Sequence, residues 1–243
     1  MPHIFTKSAE ERLQQYLDKR GVAAEIEKLT PDASTREFFR ITSGGASSIV
    51  CIYPESFDKD LPQIDVTDLF LACGLPVARI YDTDLELGIV HHEDFGDKIL
   101  RDVLERSDIE TRERLLDQAI SLITRIQRAT PKAYELDSIA SRLKFDKEKL
   151  LWELNFFKTH YFESLMKDPL SFENEQVLNK EFTELSRELE KCAAVLTHRD
   201  FHAANLMVVG GSTLKIIDHQ DARIGSAAYD LVSLLLDRIT TLP

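Results

Sequence analysis

The chain has 243 residues, 43% of them hydrophobic and 30% charged, which places it among ordinary globular proteins and excludes intrinsic disorder and collagen-like repeats. Thirty Lys and Arg against 42 Asp and Glu give a formal charge of −12, a balance that disfavours nucleic acid and anionic membranes as partners, since both reward clustered positive charge. No apolar run approaches the ~20 residues that span a bilayer, residues 1–13 lack a secretory signal pattern, and a cytoplasmic protein is expected. The length suits one large domain or two lobes sharing a cleft. Cys51, Cys73 and Cys192 are odd in number, far apart and outside any C-x-x-C pattern, so no disulfide framework or zinc site is expected and all three read as buried thiols.

In chain order, residues 10–20 read as a short amphipathic helix stopped by Gly21, a residue that tolerates the left-handed backbone at a helix end. Residues 24–29, 36–42 and 47–53 are rich in β-branched and aromatic side chains and are separated by Pro31-Asp32 and Ser43-Gly44-Gly45. This predicts three antiparallel strands. Residues 62–73 have helical apolar spacing closed by Gly74, after which 77–81 and 87–92 resume strand character.

Beyond Gly96 long helices take over. Residues 109–128 place Leu116, Ile120, Ile123 and Ile126 on one face, 146–167 carry the stripe Leu150, Leu154, Phe157, Tyr161 and Leu165, and 174–191 form a further charged helix. Strands return at 206–209 and 214–218 around Gly210-Gly211-Ser212, and a helix over 227–238 ends the pattern. The expected fold is α+β, with a small antiparallel-sheet lobe at 1–95, a larger helical lobe at 96–243, and a cleft opening near Asp94 to Asp97.

The chemistry concentrates in Leu196-Thr-His198-Arg199-Asp200-Phe-His202-Ala-Ala-Asn205, followed by a hairpin that ends in Ile216-Ile217-Asp218. Phosphoryl transfer from a nucleotide needs a carboxylate beside the attacking hydroxyl and oxygen ligands that hold Mg²⁺ on the phosphates. Asp200, Asn205 and Asp218 can supply both, because a tight hairpin returns its second strand to the level at which the first began. Asp and Asn are common in turns, so each alone says little. The combination H-R-D-x-x-x-x-N, hairpin, apolar strand, Asp is far more restrictive.

At these residues the sequence resembles the aminoglycoside phosphotransferase and choline kinase superfamily, over nearly the whole chain. Ile217-Asp218-His219-Gln220-Asp221, Gly225 and Tyr229-Asp230-Leu231 follow the hairpin in the same pattern. Together with Asp32-Ala-Ser-Thr-Arg36-Glu-Phe-Phe-Arg40, they are most similar to the bacterial anomeric kinases of N-acetylmuramate and N-acetylglucosamine, which act in cell-wall recycling. The resemblance implies a protein-kinase-like two-lobed fold, ATP and Mg²⁺ as cofactors, and a small-molecule acceptor, an amino sugar. It also implies Asp200 as catalytic base or orienter and Asn205 and Asp218 as metal ligands. His198 and Asp230 are then structural supports, Asp230 fixing the catalytic-loop backbone or capping the last helix.

Residues 31–35 stand where kinases fold a phosphate-covering loop but contain no glycine. Ser34 and Thr35 are expected to bind phosphate instead, with charge from Arg36 or Arg40. The third strand, Ser47-Ser-Ile-Val-Cys51-Ile-Tyr-Pro54, lacks the Lys of protein kinases, and Arg36 is the preferred substitute. Backbone groups of His92, Glu93 and Asp94 are expected to meet adenine at the hinge.

Asp218 and Tyr229 are too close in sequence for the activation segment of protein kinases, which favours a small acceptor. Glu153 and His202 are candidates to meet it, and Arg223 suits a carboxylate such as the lactyl group of muramate. The chain ends soon after Tyr229-Asp230-Leu231, without the C-terminal helices that close the acceptor site in the family. Two alternatives stay open: an aminoglycoside, choline or other alcohol as acceptor, and a shortened nucleotide-binding module without turnover.

Overall fold

A computed structural model describes residues 5–30, 35–58 and 60–237. The chain divides into two compact units, one built from residues 1–115 and 203–220, the other from 116–202 and 221–243. The segment up to residue 115 and the late hairpin fall in the same unit as the N-terminal sheet.

In the first unit a five-stranded antiparallel sheet has the order β1-β2-β3-β5-β4, with β1 Glu25–Leu29, β2 Glu37–Ser43, β3 Ala46–Ile52, β4 Ile80–Asp84 and β5 Ile89–Glu93. Gly44 and Gly45, both at positive φ, make the two-residue turn between Ser43 and Ala46, the backbone that matches the natural twist of a hairpin. The register fixes the two faces, since side chains alternate along each strand. Phe39, Ile41, Val50, Ile52 and Ile89 share one face and bury Leu13, Tyr16 and Leu17 of α1 (Ala9–Arg20). Phe38, Arg40, Ile49, Cys51, Val90 and His92 share the other.

After β3 come α2 (Pro62–Ala72) and, beyond the sheet, α3 (Leu100–Arg106). The hairpin of β7 (Leu206–Val209) and β8 (Thr213–Ile216) is tied to these segments. Val208 N–H donates to the Lys98 carbonyl at 2.7 Å, Ile216 N–H donates to the Pro76 carbonyl at 2.9 Å, and Val77 bridges Ile216 in parallel. The strand expected at 77–81 therefore begins later, at Ile80, because Val77 pairs with the hairpin. Strand β8 likewise stops at Ile216 and leaves Asp218 outside the ladder.

Helix α4 (Ile109–Arg128) has the expected bounds. Its buried side chains are Leu115, Ala119, Leu122, Ile123 and Ile126, while Ile120 is exposed. The apolar arc is wider than one stripe, and small Ala119 lies inside the packed edge. The second unit continues with α5 (Thr130–Glu135), α6 (Ile139–Arg142), α7 (Lys147–Lys158) and α8 (Phe172–Lys191), together with α9 (Tyr229–Leu235). Its two-stranded ladder joins β6 (Ala193–Thr197) to β9 (Arg223–Ser226).

Residues Thr159–Leu165 continue α7 as a π-helix, seen in the Met166 N–H to Tyr161 carbonyl bond of 2.9 Å. A turn closed by i→i+5 bonds no longer keeps a four-residue spacing on one face. The expected stripe fails: Leu150 is buried, but Phe157, still on the regular part of α7, and Tyr161 and Leu165, on the π-helix, are exposed. The cysteines also divide, with Cys51 buried, Cys73 intermediate and Cys192 exposed. Among the described residues no helix is long and apolar enough to cross a membrane.

Candidate active site

The first unit holds Asn205 and Asp218 at the open end of the β7–β8 hairpin. Leu206 pairs with Ile216, and Ile217 N–H extends the ladder by donating to the Asn205 carbonyl at 3.1 Å. This sets Asn205 opposite Ile217, with Asp218 the next residue beyond the ladder. Asp218 has φ +59°, a left-handed backbone that Asp and Asn tolerate better than other non-glycine residues. Its carboxylate is 40% exposed and accepts from Arg36 at 3.1 Å and from Gln220 at 2.8 Å.

Arg36 lies just before β2 with its guanidinium 5.4 Å from the Phe38 ring centre and 5.8 Å from that of Tyr53. Its Nη1 donates to Gln63 of α2 at 3.4 Å. Cys51, two positions before Tyr53 on β3, is buried beside this cation, and burial pushes its thiol up to about 12. Thr35 is exposed, and Ser34 lies outside the described residues.

Arg40 is engaged differently. It reaches Asp94 through Nε at 2.8 Å, Asp97 at 2.5 Å and Glu27 at 3.2 Å, and the hydrogen bonds it donates to Asp94 and Asp97 hold its proton more tightly than usual. Three carboxylates thus occupy the guanidinium. On β5, His92 Nδ1 lies 3.0 Å from the Glu93 carbonyl, and burial pushes His92 below its usual value. Glu93 N–H already donates to the Arg79 carbonyl at 2.9 Å. Asp94 accepts from Gly96 N–H at 2.8 Å; burial raises its carboxyl, but the bonds from Arg40 and Gly96 outweigh this and leave it below the ordinary range.

The second unit holds the H-R-D segment directly after β6. Asp230 at the start of α9 is fully buried and accepts the backbone N–H of His198 at 2.8 Å and of Arg199 at 3.0 Å. These bonds brace Arg199 at φ +86°, a strained conformation that must be held by its surroundings. Burial raises the Asp230 carboxyl, against the pull of His198 and the two N–H groups. His198 is buried edge-on to Phe201 at 5.5 Å. Asp200, with a side chain 42% exposed, lies 3.6 Å from the Arg199 guanidinium.

Arg199 also meets Asp221 at 3.2 Å and Glu153 of α7 at 4.0 Å. Glu153 is further bounded by Lys149 at 3.5 Å and by the Tyr229 hydroxyl at 3.5 Å. Arg223 is buried, donates to the carbonyl and carboxylate of Asp221, and lies 5.4 Å from the Phe145 ring centre. The residue considered for an acceptor carboxylate therefore already serves Asp221. His202 N–H donates to the Asp200 carbonyl at 3.0 Å.

Among the described residues no group of three or more His, Cys, Asp and Glu is arranged to hold a metal ion. Asn205 and Asp218 instead offer two hard oxygen donors on one rigid hairpin end. That set fits Mg²⁺, which binds through few protein ligands and completes its shell with water and phosphate.

The antiparallel N-terminal sheet and helical remainder give a protein-kinase-like α+β fold. Among solved structures, the gentamicin complex of the aminoglycoside phosphotransferase APH(2'')-IIa matches 97% of this chain and 78% of that one, at 15% identity and TM-score 0.65. Choline kinase LicA from Streptococcus pneumoniae matches 93% and 73%, at 16% identity and TM-score 0.60. The phosphotransferase enzyme family matches residues 25–242, and the chain belongs to that family. Curated relatives include an N-acetylmuramate/N-acetylglucosamine kinase from Neisseria meningitidis serogroup B, 30% identical over 85% of this chain, and one from Pseudomonas aeruginosa, 27% identical over 90%. This chain spans 59% and 62% of the length of those two proteins.

Local sequence signals single out the Asp and Asn of the loop and hairpin as candidates. The contacts of Thr67 with His219 and of Gln63 with Arg36 were missed: Thr67 and His219 are 152 positions apart, and nothing near either marks the contact.

Proposed function

We propose that this chain is an ATP-dependent small-molecule kinase that phosphorylates the anomeric hydroxyl of N-acetylmuramate or N-acetylglucosamine, in the cytoplasmic recycling of cell-wall sugars. Phosphoryl transfer is supported by one observation above all: a strained H-R-D turn braced through two N–H bonds to Asp230, in a chain whose next hairpin sets Asn205 opposite Ile217, the residue before Asp218. The amino-sugar acceptor is supported by the name that the curated relatives share.

In this reading residues 1–95 form the nucleotide lobe and 96–243 the catalytic lobe. Asp200 orients the attacking hydroxyl and takes its proton as the new P–O bond forms. Arg36 places positive charge at the phosphates, where Ser34 and Thr35 contribute hydroxyls, and the backbone at His92 to Asp94 meets the adenine. Asn205 and Asp218 hold Mg²⁺, which when bound neutralises charge on the phosphates. Glu153 and His202 orient acceptor hydroxyls. Asp230 and His198 keep the loop in shape for positioning, the main source of rate in this chemistry.

The test is acceptor-dependent ADP release with Mg-ATP on N-acetylmuramate, N-acetylglucosamine, an aminoglycoside and choline, with Asp200→Asn as the blank. Turnover on the amino sugars, with an anomeric phosphate seen by ³¹P NMR, is the expected result. Turnover confined to an aminoglycoside or choline overturns the acceptor, and ATP binding without turnover on any acceptor overturns the enzyme.

A further inference from the structure

We infer that α2 is the positioning element for the metal-ligating carboxylate, with Thr67 and Gln63 as the positioning residues that hold His219 and Asp218. The inference rests on Asp218 being a metal ligand, as proposed above. Two contacts, one helical turn apart on α2, carry it.

The first is a buried hydrogen bond of defined direction. Thr67 Oγ1 lies 2.6 Å from the Gln63 carbonyl, and 2.7 Å from His219 Nε2. A hydroxyl has one proton, and the carbonyl can only accept it, so Thr67 takes its second bond as an acceptor and His219 carries its proton on Nε2. Thr67 is 1% exposed and His219 6%. The imidazole also stacks on Phe70, one turn further along α2, with ring centres 5.3 Å apart and planes at 22°. In so dry a place neither partner can exchange this bond for water.

The second contact runs through Arg36. Gln63 accepts from Arg36 Nη1, and Arg36 Nη2 donates to Asp218 Oδ1. Gln63 also accepts from the Tyr53 hydroxyl, which fixes its amide with the oxygen toward Arg36. His219 is thus held directly by Thr67, and Asp218 through Arg36 by Gln63, one turn earlier on the same helix. Asp218 itself occupies a left-handed backbone, which persists only where the surroundings over-determine it. The Ile216 bond to the Pro76 carbonyl, just beyond α2, completes the anchorage. A shift or rotation of α2 therefore displaces the Asp218 carboxylate, while Asn205, on the other strand, keeps its place.

The experiment measures Mn²⁺ binding to the full chain by electron paramagnetic resonance, without nucleotide, in wild type, Asp218→Asn, Thr67→Val, Thr67→Ser and His219→Phe. Loss of a supporting bond behind a metal ligand weakens affinity about tenfold or more. Thr67→Val and His219→Phe, the latter keeping the stacked ring, are expected to show that loss with the far-UV circular dichroism of wild type. Thr67→Ser, which keeps the hydroxyl, is expected to stay within about twofold of wild type, which simple loss of packing would not produce. Wild-type Mn²⁺ affinity in both Thr67→Val and His219→Phe, with Asp218→Asn weakened, overturns the role of α2 alone. Unchanged affinity in Asp218→Asn overturns the metal assignment and the inference with it.

Discussion

Arg36 Nη2 lies 3.1 Å from Asp218 Oδ1, an ion pair between residues 182 positions apart in the sequence. The same guanidinium reaches Gln63 and lies near the rings of Phe38 and Tyr53. A planar fork serves these partners at once, whereas an ammonium is a single compact charge. Arg36→Lys should therefore lower kcat/KM for ATP about tenfold or more, as expected when a hydrogen bond to a charged group worth ~1.5–3 kcal/mol is lost. Steady-state kinetics at saturating acceptor measure it, and a wild-type value would remove Arg36 from the phosphate site.

Asp230 accepts two backbone N–H groups with its two oxygens. Asn offers one oxygen and turns an NH₂ toward the second donor. Asp230→Asn should fold, lose about 1–3 kcal/mol of stability, and exchange the amides of His198 and Arg199 faster than wild type in hydrogen–deuterium exchange. Unchanged protection of both amides would show that the carboxylate does not brace the turn.

Gly225 has no room for a methyl group. A Cβ there would sit 2.9 Å from Phe145 Cδ2 and 2.9 Å from Thr197 Cγ2, inside the β6–β9 ladder that leads into His198. Gly225→Ala should cost about 1–3 kcal/mol through overpacking, read as a lower urea midpoint with an unchanged slope. A midpoint equal to wild type would mean that Phe145 yields without cost.

His92 is pushed below its ordinary value, first by burial. A histidine with a lowered folded-state value binds its proton more readily when unfolded. Its contribution to stability is complete above about pH 6.5 and is lost as the pH falls from there through the lower folded-state value. Thermal midpoints should decline from pH 7.5 toward pH 5, with a shallower decline in His92→Gln. Parallel curves for the two proteins would exclude this group as a source of the pH dependence.

The three thiols should separate in the native state. Cys192 is exposed, and alkylation at pH 8 should label it first. Cys51 is buried with its thiol raised to about 12, so it should react only after unfolding, since the thiolate is the nucleophile. Mass spectrometry of timed samples would detect the opposite order.

The sequence revealed long, strongly periodic elements and motifs in which chemistry and spacing coincide. Helix α4 has the expected bounds, yet the side it buries had to be seen, because an apolar arc wider than its contact does not reveal which edge is covered. Strands β6 and β9 escaped notice: Ala193–Thr197 and Arg223–Ser226 are four or five residues long, one carries Gly225, and neither alternates. Arg40 looked like a phosphate ligand on charge and position, but Asp94, Asp97 and Glu27 converge on it only after folding. Asp200, Asn205 and Asp218 stand out as candidates because their side-chain types and spacing are themselves the signal. The partners of His219 and Arg36 come from a helix distant in sequence whose Thr67 and Gln63 look like any surface residues.

The left-handed backbone of Asp218 has a genetic consequence. Of the side chains that could replace it, Asn alone resembles it in size and also accepts that conformation without much strain. Either aspartate codon becomes an asparagine codon by one G-to-A transition. A chain that keeps the turn and drops the negative charge is thus a single nucleotide away, whereas Glu, which keeps the charge, must strain the turn to do so. Selection at this codon acts on charge and backbone together, and drift offers an easy way to lose only the first.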